Sequence, residues 1–283
     1  VVALSGPVDP ERLEEGLVEL RRWGHPVVVA PNIGSVHGFL AGTDDERIAG
    51  LESVLDHGAR VILAARGGYG AIRILPKLPW SRLVRERAVV VGFSDVTAIL
   101  GPLADRSGVV QVHGPMVAAG LGNRSNADRL HELLEGRLQG RRLFNVRESG
   151  IVRAGRVRGR AAGGNLALLA SLVGTPWQPN LDGAIVFLED VNEPGYRLDR
   201  MLTQLVLSGM FRRVKALISG GLQDCRSAGA ETRSWREMLL EAAPDGAPVV
   251  VDLPFGHGSD NHAFPIGAIV TIDTDRGRVD WSG

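Results

Sequence analysis

A chain of 283 residues is long enough for one large domain or two modest ones, each with its own core. Its 32 basic side chains balance 32 acidic ones, so neither a nucleic acid nor an anionic membrane surface is an expected partner. The single cysteine, Cys225, excludes an intrachain disulfide and a cysteine-rich metal site and fits a reducing compartment.

No apolar run approaches the roughly 20 residues of a membrane span, and no signal peptide is visible. Because the chain opens on Val1 rather than methionine, a segment upstream is left open. Lys77 and Lys215 are the only lysines, so a phosphate loop of the G-x-x-x-x-G-K type is missing and Schiff-base chemistry is disfavoured.

In chain order, PERLEEGLVELRRWG has helical spacing and ends at Gly24, HPVVVAP reads as a short buried strand, and DDERIAGLESVLDHG as a second amphipathic helix. VILAA is a strand followed by the loop RGGYG; a helix starts near Ala71, AVVVGF is the next strand, and a helix runs on from Asp95. This alternation predicts an α/β fold: an N-terminal parallel-sheet, three-layer α/β domain over residues 1–140, with ligands bound beyond the carboxyl ends of its strands. From about Asn126 the pattern loosens into an arginine-rich region, read as a linker over 141–154. RVRGR at 156–160 reads as an exposed strand or linker. GGNLALLASLVGTP, AIVFLED, YRLDRMLTQLVLSGMF, ALISGGL and a glycine-rich tail then predict a second, smaller α+β, β-rich domain over 155–283.

Four stretches could carry chemistry. In VVVGFSDVTAIL, Ser94 stands at a sharp strand-to-helix turn, where it is either a helix cap or a nucleophile with following amides, Asp95 first, aimed at an oxyanion. Gly67 and Gly68 of RGGYG can form an anion-binding nest or simply allow close packing; the G-x-G-x-x-G spacing of a dinucleotide site is missing. AIVFLED delivers Glu189 and Asp190 to a strand end, where a partner is needed: Arg197, Arg200 or a histidine. Alternation sends the two acids to opposite faces, so only one should reach a given partner. PFGHGSDNH places His257 between glycines; metal ligation with His262 is the competing reading, but no third ligand accompanies them, and neither a metal nor a cofactor is expected. Together, hydroxyl, carboxylate and imidazole make a nucleophile, base and orienter set in the order Ser, Glu, His.

With these residues the sequence resembles the LD-carboxypeptidase (muramoyltetrapeptide carboxypeptidase) family of serine peptidases. The likeness runs through SGPVDPERL, RGGYGAIRIL, VVGFSDVTAIL, VHGPM, GGNLALLASLVGTP, FLEDVNEPGYRLDRMLTQL and GHGSDNHAFPIG. It implies Ser94 as nucleophile, Glu189 and His257 as its partners, and an oxyanion hole from the backbone of Asp95 and of Gly67 or Gly68. It also implies a cytoplasmic homodimer that removes terminal D-alanine from murein tetrapeptides during peptidoglycan recycling. Arg66 and Tyr69, beside the glycine loop, are candidates for substrate binding. Two alternatives stay open: a hydrolase of aminoacyl-adenylate analogues like the microcin C immunity proteins, with Trp177 or Trp235 as a shelf for adenine, and a binding relative without chemistry.

Overall fold

The computed structural model describes residues 1–225 and 233–282. In the first half, β1 (Val61–Leu63), β2 (Val89–Gly92) and β3 (Gln111–His113) lie side by side, each parallel to the next. Parallel neighbours need a crossover, supplied by helix Trp80–Arg85 between β1 and β2 and helix Thr97–Ser107 between β2 and β3. Side chains fix the starts of the two amino-terminal helices. Asp9 accepts from the backbone of Glu11 and Arg12 at the head of Pro10–Arg22, and Thr43 and Glu46 form a reciprocal capping box on Asp44–Asp56. The stretch at 25–31, expected as a buried strand, is not one. Three consecutive valines carry β-propensity but no alternation to choose a face, and the segment instead meets the first residue, Val1 donating to Val28 O and Ala30 donating to Val1 O.

The second sheet contains β4 (Arg142–Asn145), β5 (Ile151–Arg153), β6 (Arg156–Asn165), β7 (Ala184–Val191), β8 (Ala216–Gln223), β9 (Val249–Val250), β11 (Ile269–Asp273) and β12 (Arg278–Trp281), in the order β4-β12-β11-β6-β7-β8-β9-β5. Strands β6 to β9 run parallel and the flanking ones antiparallel, which gives the mixed α/β class that the sequence predicts. RVRGR forms the start of β6, inside the sheet between β11 and β7, with Arg156 and Arg158 turned outward. Strands β4 and β5, both within 141–154, close the two edges of this sheet, where polar side chains meet water.

Strand β10 (Phe264–Ile266) belongs to the second half of the chain but pairs antiparallel with β3 of the first sheet. One buried cluster therefore runs from Val91 and Val112 through Phe264 to Phe187 and Ile218. Phe187 stacks on Phe264 with ring centroids 4.4 Å apart, and His113 stacks on the same Phe264 at 4.6 Å. This shared core holds the strand ends of the two sheets in fixed relation.

Candidate active site

Strand β2 ends at Gly92, where a Cβ would fall 2.8 Å from the Val96 side chain, so the chain can double back only without one. Phe93 is extended, and Ser94 then takes φ +57°, a left-handed conformation that costs a non-glycine residue about 1–2 kcal/mol. Such strain persists where the surroundings impose it, commonly at functional turns. Neither the short 3-10 turn Ser94–Val96 nor the helix Thr97–Ser107 has a side-chain cap, so Ser94 is not there as a helix cap. The carboxylate that follows it reaches elsewhere. Asp95 Oδ2 accepts from Ala71 N at 2.7 Å, clamping the far end of the RGGYG loop to the Ser94 turn. Burial raises the Asp95 pKa, and the backbone donors around it act in the opposite direction.

The RGGYG loop lies against this turn. Gly6 N donates to Gly67 O, and a Cβ on Gly67 would sit 3.1 Å from both Cβ and Oγ of Ser94. Gly68 (φ +108°) and Gly70 (φ +130°) complete a backbone that L side chains rarely adopt. Under Gly70 lies Arg47, fully buried, which donates to Leu4 O at 2.6 Å and pairs with Asp44 at 2.5 Å. Arg66 is exposed and donates one Nη to Pro7 O at 2.7 Å; Tyr69, also exposed, packs edge-on to Phe39 with centroids 5.5 Å apart. Both stand at the rim of the loop.

Glu189 and Asp190 separate as strand alternation requires. Glu189, fully buried near the end of β7, places Oε2 2.6 Å from His257 Nδ1. Asp190 faces the other way, accepting from Asn165 Nδ2 and from the backbone of Ala167 and Val191. Burial foremost pushes the Asp190 carboxyl up to about 6. The arginines weighed as partners go elsewhere: Arg197 lies 3.7 Å from Glu193, and Arg200 lies over the Tyr196 ring.

His257 owes its position to the glycine before it. At Gly256 (φ +100°) a Cβ would sit 2.9 Å from Glu189 Oε2, so any other residue would push the carboxylate away. An ionised carboxylate only accepts, so a neutral imidazole paired with it here would carry its proton on Nδ1 and leave the Nε2 lone pair free. The ring lies edge-on to Phe93, the neighbour of Ser94, with centroids 4.9 Å apart. Among the described residues no hydrogen bond joins Ser94 Oγ to His257; in resting sites of this kind that contact often tightens only around substrate. His262 is not part of this group. It lines a separate cavity of about 540 Å³ with Arg129 and Phe144, and burial lowers its pKa.

Several positioning residues carry no catalytic pattern in the sequence. Asn126, on helix Arg124–Leu134, donates to Ser259 O and accepts from Asn261 N; Asn261 in turn accepts from Gly256 N, so the His257 loop is tied to the first half. Thr97 Oγ1 accepts from Asn165 N, and Gly164 leaves room for that side chain. His113 is fully buried beside Phe93, Phe255 and Phe264, neither ring nitrogen has a hydrogen-bond partner among the described residues, and burial lowers its pKa to about 4. The VHGPM stretch containing it was legible only as part of the family likeness.

A strained serine thus stands beside the glycine loop, and a buried acid holds an imidazole whose ring packs on the neighbouring Phe93. The LD-carboxypeptidase N-terminal domain matches residues 1–114 and the LD-carboxypeptidase C-terminal domain matches residues 158–272, and the chain belongs to that family. A Streptomyces coelicolor protein with a provisional carboxypeptidase name is 41% identical, over 99% of this chain and 91% of its own length. The murein tetrapeptide carboxypeptidase of Pseudomonas aeruginosa is 32% identical over 98% of this chain and 94% of its own. Among solved structures, a muramoyltetrapeptide carboxypeptidase from Oxalobacter formigenes superposes with TM-score 0.84 at 29% identity, covering 98% of this chain and 96% of that one. A microcin C7 self-immunity protein shares the fold with TM-score 0.88 at 24% identity, over 100% and 94% of the two chains.

Proposed function

We propose that this chain is a serine LD-carboxypeptidase that cleaves the L-to-D peptide bond releasing terminal D-alanine from murein tetrapeptides. The observation that carries the reading is the 2.6 Å contact between Glu189 and His257 Nδ1, which leaves Nε2 to serve the strained Ser94 turn. In the first step Ser94 Oγ attacks the carbonyl carbon and its proton passes to His257 Nε2. The amides of Asp95 and of Gly67 or Gly68 hold the oxyanion, as preorganised donors do without reorganising. Collapse breaks the C–N bond, and the imidazolium gives its proton to the departing D-alanine nitrogen. Water then attacks the ester, His257 takes its proton, and Ser94 is regenerated.

The exposed Arg66, with an Nη beside Gly6 and Gly68, is suited to the substrate's terminal carboxylate, and Tyr69 to its side chain. On the same reading the chain acts in peptidoglycan recycling as a cytoplasmic homodimer, a proposal supported by the family likeness alone. No helix among the described residues is long and apolar enough to cross a membrane.

The microcin C7 self-immunity protein of Escherichia coli, 26% identical over 95% of this chain, supplies the competing reading. Two observations favour the peptide. Trp177 packs against the first-half core, and Trp235 donates its indole N–H to Ser219 Oγ at 2.8 Å, so both candidate shelves are engaged elsewhere. Incubation with a murein tetrapeptide and, separately, with an aminoacyl-sulfamoyl adenosine tests the assignment. D-alanine should be released from the first at a kcat/KM well above that for the second; the reverse order would overturn it.

A further inference from the structure

Beyond the reaction, the structure brings His25 beside two side chains, His131 and Glu135, that lie more than a hundred residues further along the chain. His25 follows the Gly24 turn at the exit of helix Pro10–Arg22, while His131 and Glu135 stand one turn apart at the end of helix Arg124–Leu134. Glu135 Oε1 lies 3.4 Å from His25 Nε2 and 3.7 Å from His131 Nε2, and the potential donor atoms of all three lie within 4.8 Å of one another. Ligands of a tetrahedral ion with bonds of about 2.0–2.1 Å sit roughly 3.3 Å apart. Two of the three separations are therefore already close to that edge.

The His131 ring is fixed. Trp23 stacks on it at 4.7 Å and within 6° of parallel, and its Nε2 is buried with no hydrogen-bond partner among the described residues. An ion pair between His25 and Glu135 would account for two of the three groups but leave that nitrogen unexplained, and a buried polar atom without a partner is costly. The cluster rims a cavity of about 480 Å³ lined also by Val1, Arg60 and Val61, at the amino ends of the first sheet's strands. The Ser94 turn lies at the opposite, carboxyl end.

We propose that His25 Nε2, His131 Nε2 and a Glu135 carboxylate oxygen bind a divalent transition-metal ion of the Zn²⁺ class, with water in the fourth position. Two imidazoles and one carboxylate suit such an ion better than Mg²⁺ or Ca²⁺, which favour all-oxygen shells. Bound there, the ion staples the exit of the first helix to the end of helix Arg124–Leu134. Its place is structural, since nothing in the Ser94, Glu189 and His257 group touches it.

Titration of the metal-stripped full-length protein tests this, with Zn²⁺ followed by calorimetry and Co²⁺ by visible absorption. One equivalent should bind, with Co²⁺ giving the intense bands of a tetrahedral site. His25→Ala and His131→Ala should each weaken binding by at least roughly tenfold, while His257→Ala should leave the stoichiometry unchanged. His25 is largely exposed, so His25→Ala decides the matter even if His131→Ala folds poorly. Absence of submillimolar Zn²⁺ binding by the wild type, or binding that survives His25→Ala unchanged, would overturn the proposal.

Discussion

His113 shows how a single residue can be set by its surroundings. Its ring sits among Phe93, Phe255 and Phe264, and the fold keeps it neutral down to about pH 4, against 6.5 for a free imidazole. As pH falls below 6.5 the unfolded chain binds a proton that the folded one does not. Stability from this group is therefore full above pH 6.5 and is lost as pH falls toward 4, by about 3 kcal/mol in total. Asp190 acts with the opposite sign: its raised pKa favours the protonated form in the fold, so its contribution declines as pH rises from about 4 to about 6. The two oppose each other in that window, and comparison with a variant separates them. Relative to wild type, His113→Phe should gain about 2 kcal/mol in unfolding free energy between pH 7 and pH 5, measured by urea titration. Parallel profiles would contradict a buried neutral His113.

Residue types were legible where the chemistry is written in side chains. Ser94, Glu189 and His257 each stand at a strand end or glycine turn that the sequence displays. His113 and Asn126 were not, because their importance comes from neighbours supplied by β10 and by the His257 loop, more than a hundred residues away.

At the scale of elements, the RGGYG loop and the Ser94 turn act as one piece. The Asp95 to Ala71 bond fixes their spacing, and Gly67 presses its bare Cα toward the serine. In Gly67→Ala the new methyl would lie 3.1 Å from Ser94 Oγ and 3.3 Å from Met116 Cε, tight enough to shift the turn. With the amides proposed to hold the oxyanion displaced, kcat should drop by about a hundredfold or more, while the melting temperature changes little because the strain is confined to one loop. A variant with wild-type kcat would show that this loop does not shape the site. Element types were readable from periodicity and capping, and the parallel pairing of β1 to β3 followed from their spacing. The run at 25–31 misled because consecutive valines do not encode a pairing partner. The strands within 141–154 were missed because edge strands need not alternate, so an arginine-rich stretch there looks like linker.

Across the whole molecule, side chains from distant parts of the sequence meet beside a shared core. Strand β10 crosses to the first sheet, Asn165 bonds to Thr97, and Asn261 bonds to Asn126, so the halves are locked at three places around the site. Sequence order could suggest that a hydroxyl, an acid and an imidazole cooperate. It could not show the crossing strand, which arises only once both sheets exist.

The most direct measurement is the rate at which a serine-directed fluorophosphonate labels the intact protein, with the adduct located by mass spectrometry. The account predicts one adduct, on Ser94, absent in Ser94→Ala and formed at least about a hundredfold more slowly in His257→Ala, with Glu189→Gln also slowed. Labelling at another residue, or equal rates in wild type and His257→Ala, would contradict it.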